Sequence, residues 1–219
     1  MTLLNRWSRK DNIMGQSFTI TRRSFILQAA CVGGGMLLEV LTPKIARSVG
    51  NAATTPAPPE VTAWILVRPD DTVTIRVARV EMGQGSFTGL PMLVAEELGC
   101  DWNKVVAEYA STSEHIKRNR IFGTMLTGGS RSIRDSHNYL REAGAAARNM
   151  LIAAAAKKWQ ARPEECIAEQ SIITHRPSGR TVSFGAVASA ASKLSIPPSV
   201  GLKDPRNWQV LGSPVPRFD

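Results

Sequence analysis

Thr127-Gly128-Gly129-Ser130-Arg131-Ser132 opens the run that decides the fold. From Arg131 to Trp159, the positions Ile133, Leu140, Gly144, Ala147, Leu151, Ala154 and Trp159 recur mostly at spacings of three and four. That period predicts one long helix with a single apolar face. The face is built largely of small residues, so the helix is expected to lie close against a sheet. Upstream, Lys104 to Ala110 alternates as a strand, and Thr88 is placed to cap a helix over Gly89 to Leu98 that stops at Gly99. Further back, Trp64 to Val67 and Val73 to Val77 flank Pro69-Asp70-Asp71, the pattern of a β-hairpin. Downstream, Ser171 to His175 and Thr181 to Phe184 flank Pro177-Ser178-Gly179 as a second hairpin. A short helix over Gly185 to Leu194 follows, and the tail from Ile196 has no period. The reading is an α+β domain over residues 61–219, a mixed sheet packed by a long helix.

Two glycine loops carry the chemistry. Glu81-Met82-Gly83-Gln84-Gly85 falls between a strand and a helix, where Gly83 and Gly85 allow close backbone approach to a ligand. Gln84 adds an amide able to donate and accept, suited to a heterocycle or an oxo group. An unliganded tight turn explains the same residues equally well. The second loop, Thr127 to Ser132, feeds a helix N-terminus, which attracts anions. Arg131 and Arg134 occupy a first turn that ordinarily favours acidic residues, and Lys117, Arg118 and Arg120 lie just upstream. A simple Ser130 N-cap with solvated arginines is the competing reading. Taken together, the loops suit a ligand with both a phosphate and a polar ring.

Charge gives the chain its other unusual feature. The net charge is +9 over 219 residues, which raises nucleic acid as a partner. Residues 1–50, however, hold seven basic residues against two acidic ones, so more than half of the excess lies there. Thr21-Arg22-Arg23-Ser24-Phe25-Ile26-Leu27 leads into the apolar stretch Ala29 to Leu38 and closely resembles a bacterial twin-arginine export signal. That stretch falls short of the ~20 residues a bilayer span needs, so no transmembrane span is expected. Residues 51–60, rich in Ala, Thr and Pro, read as a linker. An exported chain without an aromatic-interleaved basic stripe is expected to bind no nucleic acid. Cys31, Cys100 and Cys166 encode neither a disulfide framework nor a zinc site, and each reads as a packed thiol. His115, His137 and His175 are too widely spaced to form a metal site, and Trp102 and Trp159 read as core.

Several blocks in register carry a family resemblance. They are Glu81 to Gly85, Leu90 to Leu98, Asp101-Trp102, Thr127 to Ser130, Leu140 to Arg148 and Leu202 to Pro205. In this order they resemble the N-terminal part of a molybdenum hydroxylase large subunit of the xanthine dehydrogenase family, and more narrowly the isoquinoline 1-oxidoreductase beta subunit and related aldehyde dehydrogenase subunits. The resemblance runs from about Val61 to Asp219. It implies part of a molybdopterin-binding domain that holds molybdopterin cytosine dinucleotide. Met82, Gly83, Gln84 and Gly85 would contact the pterin near the metal. Thr127, Gly128, Gly129, Ser130 and Ser132 would lie beside its pterin and phosphate part. The implied activity is hydroxylation of an aldehyde or N-heterocycle carbon with oxygen from water, with electrons passing to a small iron–sulfur partner subunit. No iron–sulfur cluster is expected in this chain itself.

The departures set further expectations. The family's chain continues through another domain to a glutamate base, and no carboxylate here matches that base. No catalytic or metal-ligating residue is therefore assigned. The chain reads as a truncated product, a split subunit or a pseudogene remnant that needs the C-terminal portion of the large subunit to turn over a small-molecule substrate. Met125 stands where the subfamily often has a glutamine, and Lys117-Arg118-Asn119-Arg120 replaces a less basic loop. A periplasmic dinucleotide- or phosphate-binding module without catalysis is the alternative.

Overall fold

A computed structural model describes residues 59–219. The export-signal reading of residues 1–50, Cys31 included, lies outside the described residues, as does residues 51–58 of the linker. Glu60, expected to end that linker, is the first residue of β1 (Glu60–Thr62). β1 pairs antiparallel with β2 (Ile65–Val67), and β2 with β3 (Val73–Val77), where Ile65 faces Ile75 and Val67 faces Val73. The hairpin turn closes as predicted, with Asp70 Oδ1 accepting from the Thr72 amide at 3.0 Å. On β3 the alternation places Val73, Ile75 and Val77 in the core, while Thr74 and Arg76 lie on the opposite face. There Arg76 donates to Glu60 at 2.6 Å and to Glu108 at 3.1 Å, tying three strands across the polar face.

The chain then crosses through α1 (Ser86–Leu98) and returns as β4 (Val105–Tyr109), parallel to β3. The sheet is therefore mixed, as expected, in the order β1-β2-β3-β4. α1 begins three residues before the predicted start. Its first amides find a carboxylate outside the helix, described below, so Thr88 is not needed as a cap. The Thr88 hydroxyl instead accepts from the Phe218 amide at 2.9 Å. The C-terminus is as predicted, with Gly99 at φ 74° and its amide on Ala95 O at 2.9 Å. Beyond β4 comes a short helix that the sequence reading missed, α2 (Thr112–Lys117), capped by the Ser111 hydroxyl.

The long helix, α3 (Arg131–Trp159), has the predicted bounds. Leu140, Gly144, Ala147, Leu151 and Ala154 are buried, but Ile133 is exposed. The small-residue face was expected to meet a sheet, yet its closest contact is with α1. A Cβ on Gly144 would lie 2.5 Å from Val94 O and 3.0 Å from Glu97 Cβ. Two helix backbones come this close only where one of them carries no side chain. A second, antiparallel sheet of β5 (Cys166–Glu169), β6 (Ile172–His175) and β7 (Thr181–Ser183) follows, and then α4 (Phe184–Ala191). The β6–β7 hairpin was predicted and β5 was not. Trp102 stacks on Phe218 at 5.0 Å and Trp159 sits beside His175 at 6.2 Å, both expected in the core but half-buried against its edge. Cys100 and Cys166 are buried free thiols, and burial pushes Cys100 up to about 12.

The tail is irregular apart from one 3-10 turn, Pro205–Asn207. Two adjacent carboxylates on α1 hold it. Glu97, fully buried, accepts from Arg141 Nε at 2.9 Å and from the Lys203 amide at 2.9 Å. Glu96, 1% exposed, accepts from the amides of Gln209, Val210 and Leu211 at 2.7 to 3.2 Å and from Lys203 Nζ at 3.2 Å.

Candidate functional site

Both glycine loops leave the carboxyl ends of the parallel strands. The first joins β3 to α1, and the second reaches α3 after β4 and α2. Crevices beyond the carboxyl ends of parallel strands are where ligands bind in open sheets. The loops are also joined to each other. The Val80 amide donates to Thr127 Oγ1 at 2.8 Å, and Arg79 Nη1 donates to Leu126 O. Two segments almost fifty residues apart in sequence thus share one edge of the molecule.

The first loop is held mainly from within. Glu81 Oε1 accepts from the amides of Gly83 and Gly85, each at 2.8 Å, and Oε2 accepts from the Phe87 amide at 2.8 Å. A carboxylate therefore fills the donor nest at the start of α1, where the helix dipole also favours negative charge. The Phe87 amide foremost, with those of Gly85 and Gly83, holds Glu81 below the usual carboxylate range against an opposing effect of burial. Gln84, expected to offer its amide to a ligand, instead accepts from the Met82 amide at 2.6 Å and donates to Val80 O at 2.8 Å and Ser86 Oγ at 2.7 Å. Gly83 at φ 98° and Gly85 at φ 79° supply the left-handed turns this closure requires. At the tip, Met82 is 70% exposed.

The second loop is more open. Gly128, Gly129 and Ser130 are exposed, and Thr127 and Ser132 are half-buried. Ser130 sits at φ 54° and makes no side-chain cap, so a simple N-cap does not describe this helix start. The basic cluster is partly committed elsewhere. Arg118 pairs with Glu60 at 2.6 Å, Lys117 with Glu114 at 3.4 Å, and Arg131 and Arg134 share Asp135 at 3.5 and 3.7 Å. Met125 packs against the small cluster of Ala78, Ala110 and Phe122 behind the loops.

Sequence reasoning assigned no role to Arg79, Glu81 or Tyr109. Arg79 lies in phase with Val73, Ile75 and Val77, the signal that could have found it as an inward-facing cation. Glu81 lies within reach of a glycine turn and a helix start. Nothing in the sequence distinguished Tyr109, whose hydroxyl accepts from the Glu81 amide at 3.3 Å while its ring packs on Phe87 at 4.6 Å. Each histidine is engaged locally: His115 accepts from the Phe122 amide, His137 contacts Asn138, and His175 contacts Ser178 and Glu165. Among the described residues, no group of three His, Cys, Asp or Glu side chains is placed to hold a metal, and no helix is long and apolar enough to cross a membrane.

The residues present fit an anionic, hydrogen-bonding ligand. Among the described residues, a Cβ on Gly83 or Gly128 would meet nothing within 4 Å, so the outer side of each loop is open, although the amides of the first are already bonded to Glu81 and Gln84. Behind them, Arg79 is 3% exposed, and its Nε lacks a partner among the described residues. A buried, incompletely bonded guanidinium beside the open Thr127–Ser132 loop is the chemistry an oxyanion requires.

Comparison with known proteins defines the class. Residues 40–212 match the molybdopterin cofactor-binding domain family, and the chain belongs to that family. Among its relatives is the isoquinoline 1-oxidoreductase subunit beta of Brevundimonas diminuta, 33% identical over 187 residues, which are 83% of this chain and 23% of that one. The membrane-bound aldehyde dehydrogenase [pyrroloquinoline-quinone] of Gluconacetobacter polyoxogenes is 28% identical over 197 residues, 86% of this chain and 24% of that one. The chain thus spans about a quarter of the length of these relatives. Quinoline 2-oxidoreductase from Pseudomonas putida 86 aligns with a TM-score of 0.44 at 20% identity, over 63% of this chain and 17% of that one.

Proposed function

We propose that this domain forms one wall of a molybdopterin cytosine dinucleotide site in an oxidoreductase that hydroxylates an aldehyde or an N-heterocycle carbon with oxygen from water. The observation that carries this reading is the joining of the two glycine loops through Val80–Thr127 and Arg79–Leu126. When bound, the cofactor supplies the redox chemistry. The chain's own residues bind and orient it. Glu81 and Gln84 use the inner donors of the first loop, so Met82 to Gly85 meet the pterin with their outward faces. Thr127, Gly128, Gly129, Ser130 and Ser132 face its phosphate part. None of these residues supplies the catalytic base, which belongs to the remainder of a large subunit. A small iron–sulfur subunit completes the electron path, and the Arg22-Arg23 segment directs export to the periplasm.

The test is to isolate the protein from its native host and measure molybdenum, pterin and the nucleotide released by mild acid. Stoichiometric molybdenum and pterin with cytidine monophosphate are expected. Folded protein free of both molybdenum and pterin would overturn the reading, and a different nucleotide would overturn the cytosine form. Periplasmic fractionation of an Arg22→Lys/Arg23→Lys variant tests export. An unchanged periplasmic yield would refute it.

A further inference from the structure

Arg79 is 3% exposed and follows the inward-facing series Val73, Ile75 and Val77. Its Nη1 donates to Leu126 O, directly before the Thr127–Ser132 loop, and its Nε has no partner among the described residues. Among the described residues, no carboxylate lies within ion-pair distance of it. The one other buried arginine among the described residues, Arg141, has one in Glu97 at 2.7 Å. A cation so placed calls for an anion from outside the fold. The first loop cannot seat that anion, because the amides of Met82, Gly83, Gly85 and Phe87 are already taken by Gln84 and Glu81. The second loop can. Gly128 and Gly129 are exposed, and the first turn of α3 carries neither a side-chain cap nor an acidic residue.

We propose that Arg79 is the buried counter-charge of a phosphate oxyanion seated on the Thr127–Ser132 loop, the phosphate being that of the pterin cofactor. The inference rests on the cofactor reading above for the source of the phosphate and on the geometry alone for the site. It also separates the two loops chemically. The first presents neutral backbone to the ring system, and the second, backed by Arg79, takes the charge.

Inorganic pyrophosphate is the probe, titrated by calorimetry into the full chain. Saturable binding is expected, weakened by about tenfold or more in Arg79→Gln and by less than about threefold in Arg120→Gln. Equal affinity in wild type and Arg79→Gln, or no binding by wild type, would overturn the proposal. Should Arg79→Gln fail to fold, the Arg79 Nε–H resonance of the wild type gives the answer. It must shift during the titration, and a stationary resonance overturns the site. A second arm measures pterin retained by chains isolated from cells that make the cofactor. Equal retention by wild type and Arg79→Gln overturns the role of Arg79 while the cofactor reading stands. If neither retains pterin but Arg79→Gln still loses pyrophosphate, the oxyanion site stands and the cofactor reading fails.

Discussion

Arg141 Nε donates to Glu97 Oε1 at 2.9 Å, and this contact fastens the long helix α3 to α1 with both side chains out of water. Glu97 also accepts from the Lys203 amide, and Arg148 Nη1 lies 3.6 Å from its Oε2. Glu97→Gln keeps the shape but leaves two guanidinium groups short of a counter-charge. The expected cost is about 3–5 kcal/mol, as for breaking a buried ion pair from one side. Urea unfolding measures it, and an unchanged midpoint would contradict the assignment.

Glu96 gives the tail a pH dependence. Burial alone would raise its pKa, but the amides of Val210, Gln209 and Leu211 and the Lys203 ammonium outweigh burial and hold it below the usual value of 4.5. A carboxylate depressed in the folded state stabilises fully above its unfolded pKa, and that stabilisation is lost as pH falls through the folded value. Stability should therefore be flat in this respect near neutrality and decline below about pH 4.5. Glu96→Gln should be less stable at neutral pH with a shallower acid slope. Parallel slopes for variant and wild type would exclude Glu96 as the titrating group.

Gly144 tests the helix contact. In Gly144→Ala the new Cβ would stand 2.5 Å from Val94 O, so α1 and α3 must move apart. Overpacking of this kind costs about 1–3 kcal/mol, and the clash with rigid backbone places this case at the upper end. Thermal unfolding followed by circular dichroism is the measurement. A gain in stability, the usual result of Gly→Ala in a free helix, would show that the helices are not in contact at this point.

The link between the loops is tested at Thr127. Thr127→Val removes the acceptor for the Val80 amide, whereas Thr127→Ser keeps it. Hydrogen exchange at Val80 should speed up by about fivefold in the valine variant, the equivalent of ~1 kcal/mol, and stay slow in the serine variant. Equal exchange in all three proteins would mean that the Thr127 hydroxyl does not hold the Val80 amide.

Local pattern alone was enough for the elements whose cause is local. The period of three and four from Arg131 to Trp159, the alternation of Val73 to Val77 and the stop at Gly99 each depend on side chains within one element, and each was placed correctly. Where the cause lies elsewhere in the chain, the sequence reading erred. α1 starts at Ser86 rather than Gly89 because Glu81, in the preceding loop, takes its first amides. Gln84 turns inward because its side-chain amide closes its own loop on Met82, Val80 and Ser86, a tertiary fold of the loop that residue type does not signal. The aperiodic tail gave no signal, because the amides of residues 203–211 bond to Glu96 and Glu97, over a hundred residues away.

By itself, the sequence determined the mixed α and β class, the two glycine loops and the family to which they belong, because those rest on residue type and spacing. Only the tertiary structure decided that the loops share an edge, that the nest of the first is filled by Glu81, and that Arg79, bonded to Leu126 O, has no counter-charge among the described residues. These are relations between segments brought together by the parallel pairing of β3 with β4. No local pattern encodes which buried charge will meet its partner and which will be left for a ligand.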